Sequence, residues 1–122
     1  MHDQEGKVTV DGFYDKVRSL TNEEREQFAR IPFDETEYLN EMGAPSLFGE
    51  PGFTTYERAW ARPTLEINGI YGGFQGEGIK TVLPSTAHAK ISCRLVADQN
   101  PSEIADLVAD HFVIAAPTPF DL

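Results

Sequence analysis

Apolar positions along this chain change their period near residue 63. In Thr64–Ile70 (TLEINGI) they alternate, with Leu65 and Ile67 on one side and Glu66 and Asn68 on the other, as in a strand. Ala87–Val96 (AHAKISCRLV) alternates more cleanly. Ala87, Ala89, Ile91, Cys93 and Leu95 make an apolar face, and His88, Lys90, Ser92 and Arg94 a polar one, the pattern of a half-buried strand covered on one side. The spacing then turns helical. Asn100 is placed to cap, Pro101 to take the first helical position and Glu103 to close a capping box. Ile104, Leu107, Val108 and Phe112 follow as an apolar stripe.

The first 62 residues are punctuated differently. Lys7–Val10 (KVTV) reads as a short extended segment closed by Asp11-Gly12. Thr21 with Glu24 predicts a capping box for a helix over Asn22–Arg30. Asp34 with Glu37 repeats the signal and predicts a short helix that buries Tyr38, Leu39 and Met42 and stops at Gly43. Ala44–Gly52 is loop. Thr54 or Thr55 caps one or two further turns through Trp60, before Pro63 forbids continuation. The expected fold is therefore α+β: an antiparallel pair of strands with helices on one face and an open polar face. The expected division is an acidic helical and loop region over 1–62 and a strand-loop-strand-helix region over 63–122. Two strands make a marginal sheet, so either Lys7–Val10 or another chain or segment is expected to extend it.

Composition narrows the function. The 122 residues suit one domain, and the formal charge of −10 argues against nucleic-acid and anionic-membrane partners. Acid is concentrated early: residues 1–60 hold 13 Asp/Glu against 6 Lys/Arg, and no basic residue follows Arg94. The single cysteine, Cys93, excludes an internal disulfide and suits a reducing, cytoplasmic setting. No apolar run approaches a membrane span, and the N-terminus lacks a signal pattern.

Self-contained chemistry is sparse. The stretch Gly73–Thr81 imitates a phosphate-binding loop, but Ile79 separates Gly78 from Lys80, and Val82-Leu83-Pro84 follows where a helix is required. A flexible connection between two strands is the expected structure. His2, His88 and His111 lack the spacing of a metal site, and all three are expected at solvated or edge positions. Cys93 falls on an apolar strand face, where a small buried residue is expected. The paired glutamates at 23/24 and 35/37 sit at helix starts, where the dipole alone accounts for them. Arg94 lies on the polar strand face, where an arginine can capture a carboxylate through two parallel hydrogen bonds or form a surface salt bridge. No catalytic residue and no metal ligand is expected in the chain.

Arg62–Gln99 (RPTLEINGIYGGFQGEGIKTVLPSTAHAKISCRLVADQ) nonetheless resembles a known family, the lid or dimerisation domain of zinc-dependent exopeptidases in metallopeptidase family twenty, above all its dipeptidase branch. The carrying motifs are Arg62-Pro63-Thr64 with Asn68-Gly69-Ile70, Gly78 through Pro84 (GIKTVLP), and Lys90 through Val96 (KISCRLV). Weaker similarity reaches Gly12–Asp15, Gly49–Gly52 and the Pro101 helix. The resemblance implies an incomplete ferredoxin-like lid preceded by a helical insertion. It implies a parent whose catalytic domain, on the same polypeptide, holds two zinc ions and hydrolyses peptide or acyl-amino-acid substrates. It implies a homodimer formed through the lid, with Thr81 reaching the neighbouring subunit's site and Arg94 binding the substrate carboxylate. Zinc-ligand motifs, the family's opening lid segment and its last lid strand are missing from this sequence, so the expectation is a lid fragment, inactive alone. Two other readings compete with it: a free-standing binding module for small acidic ligands or peptides, and a nucleotide binder.

Overall fold

A computed structural model describes residues 1–116 and gives an α+β fold of four helices and a two-stranded antiparallel sheet. The chain divides into two compact units, Met1–Pro63 together with the chain from Leu95 onward, and Thr64–Arg94. The helix after residue 100 thus belongs with the N-terminal region, whereas the strands form a unit of their own.

In the first unit each helix starts where its local chemistry places it. Helix α1 (Asn22–Ala29) opens on a complete capping box: the Glu24 N–H donates to Thr21 Oγ1 at 3.2 Å and the Thr21 N–H to Glu24 Oε2 at 2.8 Å. Helix α2 (Glu35–Met42) opens on the Asp34 side chain, which accepts from the Glu37 N–H at 2.9 Å, and stops at Gly43 in the left-handed region. Helix α3 (Thr55–Ala61) is capped by Thr54, boxed by Glu57. That carboxylate is 2% exposed, accepts from the Thr54 N–H at 2.7 Å and faces Arg25 at 3.4 Å, so its buried charge is both hydrogen-bonded and paired. Helix α4 (Pro101–Ala115) begins at Asn100, whose side chain accepts from the Ser102 N–H at 2.9 Å.

Val8, Val10, Phe13 and Ile104 are the buried apolar side chains of this unit. Gln99 joins its distant parts, donating to the Phe13 carbonyl at 2.8 Å and accepting from the Val96 N–H at 3.0 Å. Lys16 meets the Glu103 carboxylate at 2.8 and 2.7 Å, so Glu103 ties the 11–16 turn to α4 instead of closing a capping box.

Other expectations fail for lack of a covering surface. Helix α2 buries nothing: Tyr38 is 36% and Met42 64% exposed, and Leu39 is half-buried. The α4 stripe holds at Ile104, Leu107 and Val108, but its next half-buried position is His111, and Phe112 is exposed. Lys7–Val10 does not extend the sheet. Val8 makes one isolated bridge to His2, and its N–H donates to the Tyr14 hydroxyl at 3.1 Å.

The second unit is the pair β1 (Thr64–Gly72) and β2 (Ala87–Arg94). Leu65 lies opposite Cys93 and Ile67 opposite Ile91; the register then shifts at Asn68, so that Ile70 meets Ala89 and Gly72 meets Ala87. The bulge solves a parity problem. Leu65 and Ile67 are odd-numbered and Ile70 is even, so a regular strand would turn Ile70 to the other face. One extra residue returns it to the apolar side. Only the Thr64/Arg94 end of that side is shielded: Leu65 is buried and Ile91 and Cys93 are half-buried, whereas Ile70 is exposed.

Candidate functional site

The polar side of the hairpin, in register, carries Thr64 opposite Arg94, Glu66 opposite Ser92, Gly69 opposite Lys90 and Tyr71 opposite His88. The alternation of β2 thus places Arg94 on the face expected from sequence, as the last residue of the strand. His88 is not simply solvated. Its ring lies flat on Tyr71, with centroids 4.5 Å apart and planes 9° from parallel. This cross-strand pair was missed because the bulge at Asn68 sets the pairing, and a period-two reading of β1 puts Tyr71 on the wrong side.

Thr81 lies in the connection between Gly72 and Ala87, which has no regular secondary structure and is exposed throughout. The Val82 N–H donates to the Lys80 carbonyl at 3.0 Å, closing a three-residue turn with Thr81 as its central residue. Gly73 and Gly78 both take positive φ, +67° and +83°, which an L side chain rarely tolerates, so the glycines serve the path of the loop. Thr81 is followed by extended chain and then β2, with no helix to receive a phosphate. The nucleotide reading therefore has no structural support. Ile79 and Leu83, two residues either side of Thr81, are 104% and 94% exposed.

Arg94 closes one end of the hairpin and Thr81 belongs to the loop at the other. Seven residue steps of β2, at about 3.3 Å each, put roughly 23 Å between those ends. Arg94 therefore ends the strand, and Thr81 lies in the loop beyond the strand's other end.

Cys93 is half-buried, and burial pushes its thiol above the usual range. Among the described residues, no group of three or more His, Cys, Asp or Glu stands close enough to hold a metal ion. Nor is any helix among the described residues long and apolar enough to cross a membrane.

Comparison with known proteins supplies the wider context. The Cys-Gly metallodipeptidase DUG1 of Candida albicans is 33% identical over 109 residues, covering 89% of this chain and 22% of the relative. Human carnosine dipeptidase 1 superposes with a TM-score of 0.78 at 34% identity, over 93% of this chain and 24% of that one. A metallo-carboxypeptidase from Sulfolobus solfataricus superposes with a TM-score of 0.73, also at 34% identity, over 93% of this chain and 26% of that one. The chain thus spans about a fifth of the length of the curated relatives it matches. The peptidase dimerisation domain model matches residues 6–118, nearly the whole sequence, and the chain belongs to that family.

Proposed function

We propose that the chain is the lid and dimerisation part of a dipeptidase-like, di-zinc exopeptidase acting on peptide or N-acyl amide bonds, and that it is inactive alone. In this reading Arg94 binds the substrate's terminal carboxylate. Thr81 reaches the active site of the neighbouring subunit in a homodimer, and the catalytic domain of the same polypeptide supplies the metals. The carrying observation is the exposed three-residue turn that holds Thr81 at the surface of the loop between the two strands. The exposed turn at Thr81 and the unpaired edges of a two-stranded sheet agree with a partner subunit. A cytoplasmic location is the reading that a lone cysteine suits.

Subunit mixing in the complete enzyme tests this directly. One subunit carries Thr81→Ala, and the other carries an inactivated catalytic domain with Thr81 intact. Activity returning in the mixed dimer supports the trans role; two inactive parents that stay inactive when mixed refute it. The binding-module alternative predicts that the isolated chain binds an acetylated dipeptide by calorimetry. Its net charge of −10 repels such anions at long range, which makes the peptidase reading the better one.

A further inference from the structure

Five aromatic rings form a continuous ladder across the first unit. Tyr38 of α2 meets Phe33 at 5.3 Å, Phe33 meets Tyr56 at 5.5 Å, Tyr56 stacks on Trp60 at 5.0 Å, and Trp60 meets Phe28 of α1 at 6.0 Å. Rings that contact one another so regularly normally form a core, yet Trp60 is 61% exposed, and Phe33 and Tyr38 are exposed as well. A cleft of about 330 Å³ opens beside the ladder, with Phe28, Pro32, Phe33 and Tyr56 among its walls. It has room for one apolar side chain.

The charges around the Tyr38 end have one sign. Helix α2 has no lysine or arginine. Glu35 and Glu41, three residues before and after Tyr38, share its side of the helix. Among the described residues, neither has a cation within ion-pair distance, and the Asp34 cap adds a further negative charge. The one cation lining the cleft, Arg30, is offset by Glu26 at 4.0 Å. An electron-rich ring flanked by unpaired carboxylates attracts cations by two additive routes, ring quadrupole and charge.

We propose that the ladder and α2 form a docking surface for a basic peptide segment of another protein. An apolar side chain of that segment enters the cleft beside Phe33 and Tyr56, and its lysine or arginine residues lie over Tyr38 between Glu35 and Glu41. This role is separate from the peptidase reading and involves neither Thr81 nor Arg94.

Trp60, the single tryptophan, reports on the surface directly. The 122-residue chain is titrated at low salt with the peptide acetyl-Gly-Leu-Lys-Lys-Leu-Arg-amide and with a counterpart in which glutamate replaces each basic residue. The expected result is a saturable change in Trp60 fluorescence with the basic peptide only. Glu35→Gln with Glu41→Gln weakens binding at least about fivefold, while Asp106→Asn with Asp110→Asn, the same change of net charge on exposed positions of α4, changes it less than about twofold. Equal weakening by both pairs means generic attraction to an acidic chain and overturns the proposal. So does equal binding of the acidic peptide, or no binding at all. Loss of Trp60 exposure on concentrating the chain without peptide assigns the face to a second copy and overturns it too.

Discussion

The two units use their apolar residues in opposite ways. In the first, Val8, Val10, Phe13 and Ile104 are buried, and polar groups close on one another around them: Gln99 on Phe13, Arg62 on Glu50 at 2.6 Å, Glu57 on Thr54 and Arg25. In the hairpin, Leu65 is the buried side chain, while Ile67, Ile70, Tyr71, Ile79, Val82 and Leu83 are all exposed. A two-stranded sheet alone is marginal in water, and this much exposed apolar surface on the hairpin is in keeping with the proposed partner subunit. The first unit carries a core, and the hairpin leaves most of its apolar side chains exposed.

The largest expected effect tests that contrast. Phe13→Ala removes a side chain that is 1% exposed, and the lost burial plus the cavity costs about 3–5 kcal/mol. Leu83→Ala removes one that is 94% exposed, and is expected to change stability by less than about 0.5 kcal/mol. Urea unfolding of both variants measures the difference. A Leu83→Ala loss near that of Phe13→Ala means that the loop is packed in solution and that the contrast is wrong.

The next effect belongs to function. In the complete enzyme, the role proposed for Arg94 predicts that Arg94→Ala loses a charge-assisted hydrogen bond worth about 1.5–3 kcal/mol and raises KM at least about tenfold. If Thr81 acts at the neighbouring subunit's site as proposed, Thr81→Ala is expected to lower kcat with a smaller change in KM. Steady-state kinetics separate the two, and unchanged constants in both variants remove the assignment.

What the sequence revealed depended on distance along the chain. The caps at Thr21, Asp34, Thr54 and Asn100, and the stop at Gly43, were legible because each is closed within a few residues. The polar side of β2, and with it Arg94, followed from parity alone. Tyr38 and Met42 were misplaced because periodicity shows which side of a helix is apolar, not whether anything covers it. The Tyr71–His88 stack was hidden by one extra residue at Asn68, and the bond from Gln99 to the Phe13 carbonyl joins positions more than eighty residues apart. Thr81 was named by its motif. No physical pattern in a glycine-rich loop singles out one threonine.

Smaller effects test how firmly the first unit is closed. Thr54→Ala deletes the acceptor for the Glu57 N–H and is expected to cost about 1 kcal/mol, while the same change at Thr55, one residue inside the helix, costs less. Thermal unfolding of the pair shows whether the cap or merely the residue type matters.

The smallest effect is set by pH. The Arg18 guanidinium holds Glu24 through two hydrogen bonds of 2.9 and 2.8 Å, and the Thr21 N–H adds a third; together they lower its carboxyl from 4.5 to about 2. A depressed carboxyl favours the folded state at pH values above its unfolded value. That contribution is therefore complete above about 4.5 and is lost as pH falls toward about 2. Because Glu24 lies at the surface, the expected change in stability is slight, and the side chain's own titration is the sharper measurement. Carbon-detected NMR should show Glu24 titrating near 2, and Arg18→Gln should move it back toward 4.5 while the Thr21 N–H bond keeps it somewhat below. If Glu24 titrates normally in the parent chain, the Arg18 pair does not persist in solution, and α1 is held by its capping box alone.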